Sequence, residues 1–269
     1  MSKYPTRQSR PEVKPKKALG QHFLTDESVA RRIASTLEPW PDVPVLEIGP
    51  GMGVLTKYLL EDGNDLKVAE IDTESVEYLR RNYPALQGRI IDDDFLKLDL
   101  AQFYPDGMKF NVIGNYPYNI SSQIFFKVLD YKDQVDVCSG MLQKEVAERI
   151  AAPAGGRERG ILSVLLQAWY DVEYLFTVGP EVFCPPPKVK SGVIRLVRNG
   201  VTDLGCDEAK FKTVVKTAFG QRRKTLRNSL RGLFPDGVPA TEDELMSKRP
   251  EQLTVSDFVR LTNLVTIKK

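Results

Sequence analysis

The sequence predicts an α/β protein, with a mainly parallel, doubly wound sheet followed by a small all-helical domain. Three observations carry this prediction. From about residue 18 to residue 200, short apolar runs alternate with segments of helical spacing, the pattern of strands separated by helices. A glycine-rich turn, "GPGMG", stands between one apolar run and a helix start, as at the first crossover of such a sheet. Beyond "RNGVTDLGCDE" the strand pattern stops, and short helical segments joined by Gly and Pro turns follow.

The elements follow in order. Residues 1–17 carry Pro5, Pro11 and Pro15 among Lys and Arg; they cannot bury enough apolar surface to order themselves and read as a flexible basic arm. Order is expected from "ALGQHFL" onward. "VPVLEIG", "DLKVAEI", "GRIIDDDF" and "KFNVIGN" read as strands, with "GVLTKYLLE" and "ESVEYLRRNY" as helices between them. "VDVCSGMLQKEVAERI" reads as a strand running into a helix, and "APAGGRERG" as a charged loop. "ILSVLLQAWY" is apolar enough for either a helix or a buried strand, whereas "DVEYLFTVG" and "SGVIRLV" alternate and should pair. Pro185, Pro186 and Pro187 between them form a stiff connector. The expected organisation is therefore an arm at 1–17, a sheet domain at 18–200 and a helical domain at 206–269.

Composition narrows the function classes. At 269 residues and 42% hydrophobic, the chain can bury a full core. Its 38 Lys+Arg against 36 Asp+Glu leave a net charge of +2, so any nucleic-acid signal must come from local clusters. Cys138, Cys184 and Cys206 are odd in number and widely spaced, which argues against a disulfide framework or a zinc site. No metal is expected, and a reducing cytoplasm fits the cysteine usage. No stretch is long enough to span a membrane, and the basic N-terminus lacks the apolar region of a secretory signal. No coiled-coil pattern is present, so a monomer is expected.

Gly49, Gly51 and Gly53 allow the backbone to turn tightly and approach a ligand. Alone they suit a nucleotide, a dinucleotide, S-adenosylmethionine or a purely structural turn. Glu70 in "VAEID", about 20 residues on, ends the next strand where a carboxylate accepts from both hydroxyls of a ribose. Asp94 in "DDDF" is a candidate acceptor for an adenine amino group, against the plainer reading of a helix cap or solvated turn, which suits Asp92 and Asp93. A nicotinamide-dependent dehydrogenase would satisfy the glycines but leave "GNYPYNIS", Gly114 to Ser121, without a task.

That stretch suits an adenine. The N6 lone pair of adenine is delocalised into the ring, so methyl transfer to it requires the amine to be localised. Two acceptors on the amine hydrogens would do this: the Asn115 side-chain oxygen and the backbone carbonyl of Tyr116. Pro117 fixes the turn and Tyr118 stacks on the base, offsetting roughly 1–3 kcal/mol of the cost of unstacking it.

With these residues in place, the chain resembles the KsgA/RsmA dimethyladenosine transferases. The resemblance runs through "KKALGQHFLTD", "LEIGPGMGVLT", "EID", "GNYPYNIS", "MLQKEVAERI", "FCPPPKVKSGVI" and "FGQRRKTLRNSL", nearly the whole ordered chain. It implies a Rossmann-like S-adenosylmethionine-dependent methyltransferase domain with a small all-helical C-terminal domain. The implied reaction is dimethylation of two adjacent adenosines in a hairpin loop near the 3′ end of 16S rRNA, four methyl groups per RNA. It implies cofactor contacts at His22, Leu24, Gly49, Glu70, Asp94 and Asn115, beside Gly51 of the glycine turn. Phe183 resembles the family's second aromatic near the target base, against the competing reading of a core phenylalanine. Tyr116 departs from the family's common "NLPY", and Lys190 stands where the family more often has Asp.

Arg222, Arg223, Lys224, Arg227 and Arg231 lie in a stretch without acids. The spacing of Arg223, Arg227 and Arg231 predicts one face of a helix, suited to phosphates. Lys14, Lys16 and Lys17 of the arm would add a second backbone contact. Three rival readings are a large-subunit rRNA methyltransferase, a DNA adenine methyltransferase, and an assembly factor that binds immature small subunits with methylation secondary.

Overall fold

The structure, a computed structural model, describes residues 12–105, 107–234 and 242–265. A short strand β1 (Phe23–Leu24) and helix α1 (Glu27–Ala34) lead into β2 (Val45–Ile48), α2 (Val54–Glu61), β3 (Leu66–Glu70), α3 (Thr73–Asn82) and β4 (Ile90–Asp92). Then come β5 (Phe110–Asn115), α4 (Ser121–Asp130), β6 (Val135–Gln143), α5 (Lys144–Ala151), α6 (Ile161–Gln167), β7 (Tyr170–Val178), β8 (Phe183–Cys184) and β9 (Ser191–Arg198). The chain closes with α7 (Glu208–Gly220), α8 (Leu226–Ser229), α9 (Asp243–Ser247) and α10 (Val255–Leu264).

The main sheet has the order β4-β3-β2-β5-β6-β9-β7. Its β4-to-β6 portion is parallel, and β9 runs antiparallel to both β6 and β7. Strand β2 is buried along its length, as is β5 up to Gly114, because helices cover both faces of a central parallel strand. Aspartates start several helices: Asp26 accepts from the Ser28 and Val29 amides, and Asp207 from the Lys210 amide, each satisfying a donor that the first turn leaves open. The chain proceeds from β2 outward to β4, then returns to the other side of β2 as β5. The carboxyl ends of β2 and β5 therefore flank a topological switch point, the crevice where such sheets hold ligands.

"ILSVLLQAWY" is a helix over Ile161–Gln167 that gives way to β7 at Tyr170. Leu162 through Leu166 are all buried, so the helix is covered all round and shows no amphipathic period. Its Val164 and Leu166 share one apolar cluster with Phe125 of α4, Phe211 and Val214 of α7, and Phe258 and Leu261 of α10. The C-terminal helices are thus continuous with the core of the sheet domain.

Two expectations change. Residues 1–11 of the arm lie outside the described residues, but 12–17 rest on the fold: Val13 is buried and Lys16 pairs with Asp72 and Glu74. The arginine stripe is not a single helix face. Helix α7 ends at Gly220, α8 begins only at Leu226, and Arg231 opens a separate 3₁₀ turn. Gly220 weakens the helix, and burial of Leu226 and Leu230 dictates the direction in which the chain resumes. Among the described residues, no helix is long and apolar enough to cross a membrane.

Candidate active site

A cleft of about 930 Å³, including its open mouth, lies at the carboxyl ends of β2, β3, β4 and β5. His22, Gly49, Gly51, Glu70, Asp94, Asn115, Tyr116, Pro117 and Tyr118 all line it. These residues come from distant parts of the sequence, and the sheet's edge brings them together.

The glycine turn is held from both sides. Gly51 has φ +56°, and a Cβ there would sit 2.9 Å from the Phe23 ring, so both conformation and space require glycine. Its amide donates to Glu70 Oε2 at 3.0 Å, while the Asp72 amide donates to Oε1 at 2.9 Å. A carboxylate has about four acceptor sites, so Glu70 keeps capacity to accept from a ligand hydroxyl. Burial raises its pKa, opposed by these amide hydrogen bonds.

Asn115 ends β5, and its Nδ2 donates to the His22 carbonyl at 3.0 Å. A carbonyl only accepts, so this bond fixes which end of the amide is nitrogen and leaves Oδ1 as the acceptor. His22 is itself oriented, with Nδ1 donating to the Pro185 carbonyl at 2.8 Å. The Tyr118 hydroxyl lies 2.6 Å from Ser191 Oγ, and the Tyr118 and His22 rings are 5.4 Å apart at 33°.

Tyr116 divides its roles between backbone and side chain. Its ring is buried, the phenol donates to the Ser139 carbonyl at 2.7 Å, and Phe125 packs edge-on at 5.7 Å. A Cβ on Gly140 would lie 2.7 Å from that ring, so a glycine on the neighbouring strand makes room for tyrosine where the family often has leucine.

Asp94 lines the cleft and also forms the plain turn that competed with its ligand role: Oδ1 accepts from the Leu96 amide at 3.0 Å, and Lys97 lies 3.5 Å from Oδ2. Asp93 lines the cleft as well. Gln21, Phe23 and Asn119 also contribute to the wall, and no spacing rule singled them out.

Two expected residues are placed elsewhere. Leu24 and Phe183 face each other across the β1–β8 ribbon, are each 4% exposed, and pack in the apolar core with Val29 and Met141. Neither side chain lines the cleft. This packing of Phe183 fits the core reading that competes with its aromatic role. The basic residues also lie outside the cleft. Arg222 donates to the Arg157 carbonyl, while Arg223, Lys224, Arg227 and Arg231 are exposed.

Glu47, in the middle of β2, was not a sequence candidate. It is fully buried behind the glycine turn, accepts from the Thr56 hydroxyl at 2.6 Å, and has its pKa raised to about 8, mainly by burial and further by Glu70. The folded state thus keeps a proton that the unfolded chain releases near 4.5. Stability from this group is fully present below that value and is lost as pH rises toward and through about 8. Glu47→Gln, which retains an acceptor for Thr56, is expected to flatten the fall of Tm between pH 5 and 8, roughly the interval between these pKa values. Parallel Tm–pH curves for the two proteins would refute this.

The model of the ribosomal RNA adenine dimethylase family matches residues 12–266. Over 250 residues the chain is 66% identical to the ribosomal RNA small subunit methyltransferase A of Parabacteroides distasonis, covering 93% of each chain. The protein of the same name from Porphyromonas gingivalis is 62% identical over 253 residues, 94% of this chain and 98% of that one. Among solved structures, a dimethyladenosine transferase from Plasmodium falciparum shares the fold, with TM-score 0.74 and 23% identity over 89% of this chain and 96% of that one. The 23S rRNA methyltransferase ErmE has TM-score 0.68 and 27% identity over 90% and 99%. Because the family model spans the C-terminal helices as well as the sheet, the whole chain, and not the cofactor fold alone, belongs to the ribosomal RNA adenine dimethylase family.

Proposed function

We propose that the protein dimethylates the N6 amino groups of two adjacent adenosines in the 3′-terminal hairpin loop of 16S rRNA, within the small ribosomal subunit. S-adenosyl-L-methionine is the methyl donor and S-adenosyl-L-homocysteine the product. The observation that carries this reading is the Asn115 amide in the wall of the cleft, whose nitrogen donates to the His22 carbonyl and whose oxygen is thereby left to accept.

The wall fits the cofactor: a buried carboxylate with acceptor capacity to spare at Glu70, and a glycine turn that admits close approach at Gly49 and Gly51. When bound, S-adenosylmethionine supplies an electrophilic methyl group on a positively charged sulfur. The protein's own part is to hold the base. Asn115 Oδ1 and the Tyr116 carbonyl accept the two N6 hydrogens and draw the nitrogen toward a localised lone pair. The Tyr118 ring, steadied by Ser191, offers the stacking face for a base out of its helix. The proton shed after each transfer passes to water, so no ionised general base is needed. A role in small-subunit biogenesis and a monomeric cytoplasmic enzyme accompany this reading.

The test incubates the protein and labelled S-adenosylmethionine separately with unmethylated small subunits, large-subunit RNA and duplex DNA, and identifies the products by mass. The expected result is N6,N6-dimethyladenosine at paired sites in small-subunit RNA. Label confined to large-subunit RNA or DNA would keep the chemistry and overturn the substrate.

A further inference from the structure

The segment before β1 lines the cleft and is anchored at both ends. At its C-terminal end, β1 pairs with β8, and both the amide and the hydroxyl of Thr25 donate to the Val182 carbonyl at 2.8 and 2.9 Å. Phe23 and Leu24 are buried there, so this end belongs to the core. At its N-terminal end the anchor is Asp72, whose side chain is fully buried. Asp72 receives the Lys16 ammonium, Gln21 Nε2 at 3.0 Å and Ser75 Oγ at 3.1 Å. Lys16 also lies 3.2 Å from Glu74, its amide donates to Gln21 Oε1 at 2.7 Å, and Glu12 pairs with Arg81 at 3.2 Å. Burial pushes the Asp72 carboxyl up, but the hydrogen bonds from Lys16, Gln21 and Ser75 outweigh it and hold the group ionised.

Between these anchors, Leu19, Gly20, Gln21 and His22 form one wall of the cleft. The anchors differ in kind. The β1–β8 end is held by Phe23 and Leu24 in the core, whereas the N-terminal end has Val13 as its buried apolar side chain and depends on the ion pair of Lys16, whose side chain is 39% exposed and can exchange Asp72 for water. Asp72 also donates its amide to Glu70, the ribose acceptor, so one residue organises both the strap and the group beneath it.

Resting on the reading of the cleft as an S-adenosylmethionine site, we propose that residues 12–22 are a strap latched at Asp72, and that Lys16 is a positioning residue controlling how long the cofactor stays bound. Lys16 does not line the cleft, so it acts through Gln21 and His22 rather than by touching the ligand. Coupling between latch and ligand is reciprocal: a weakened latch loosens the ligand, and a bound ligand protects the strap.

The experiment compares wild type, Lys16→Met and Lys16→Arg by calorimetry and off-rate with S-adenosylhomocysteine, by amide exchange over residues 12–23, and by steady-state kinetics. Lys16→Met is expected to raise Kd about fivefold, the upper end for a partly exposed ion pair, chiefly through the off-rate. Exchange in the strap should quicken, kcat at saturating cofactor should hold, Lys16→Arg should restore binding, and S-adenosylhomocysteine should slow strap exchange in wild type. Wild-type affinity in Lys16→Met despite faster exchange would overturn the proposal. A raised KM for RNA with unchanged cofactor affinity would also overturn it and return Lys16 to a phosphate contact. Absence of S-adenosylhomocysteine binding in wild type would instead overturn the reading of the cleft, and the strap's role with it.

Discussion

Asn115→Ala is expected to lower kcat for methyl transfer by about 10²- to 10³-fold, the usual cost of deleting one preorganised group aimed at developing charge. The substitution removes Oδ1 and leaves the Tyr116 carbonyl as one acceptor for two amine hydrogens. N6 then keeps more of its planar, delocalised character, and its lone pair is less available. It also removes the bond from Nδ2 to the His22 carbonyl, which loosens one wall of the cofactor cleft. Single-turnover measurement with pre-bound cofactor separates the two consequences, because a loss that survives saturation belongs to the chemical step. If saturating cofactor restores the wild-type rate, Asn115 serves the wall and not the amine. The same variant separates catalysis from assembly. Small subunits that bind it normally and mature without being methylated would make methylation the secondary role.

Four of the site residues legible in the sequence share one property, that each ends or closely follows a strand at the same edge of the sheet. Gly49 follows β2, Glu70 ends β3, Asp94 follows β4 and Asn115 ends β5, so recognising a doubly wound pattern was enough to predict that they converge. Phe183 and Leu24 were not legible because their placement depends on β1 pairing with β8, a contact between segments far apart in sequence that no local pattern encodes. An aromatic beside a proline run looks the same whether it faces a ligand or a core. Glu47 was passed over because an acid within an apolar strand shows its burial only once α2 packs over it, with Thr56 as partner. The arginine stripe failed for another reason. A spacing of four residues implies a shared face only if the helix continues, and the chain here leaves its helix at Gly220 and starts a new one at Leu226.

That break does not remove the electrostatic argument, because phosphate neutralisation depends on charge near the RNA and not on a common helical face. Arg223→Glu with Arg227→Glu is therefore expected to weaken binding to small-subunit RNA and to reduce the slope of log K against log salt. Each phosphate contact contributes roughly 0.7 to 0.9 to that slope, so losing two should lower it by about 1.4 to 1.8. Arg222 is kept intact, since its bond to the Arg157 carbonyl ties the C-terminal segment to the loop after α5, and its loss would mix folding with binding. Both substituted residues lie outside the cleft, so affinity for S-adenosylhomocysteine should be unchanged and acts as the control. A titration from 50 to 300 mM salt, a range of about sixfold, resolves a slope change of this size. If affinity falls while the slope holds, the arginines contribute shape or hydrogen bonding without counterion release. If neither changes, the RNA lies on another face of the protein.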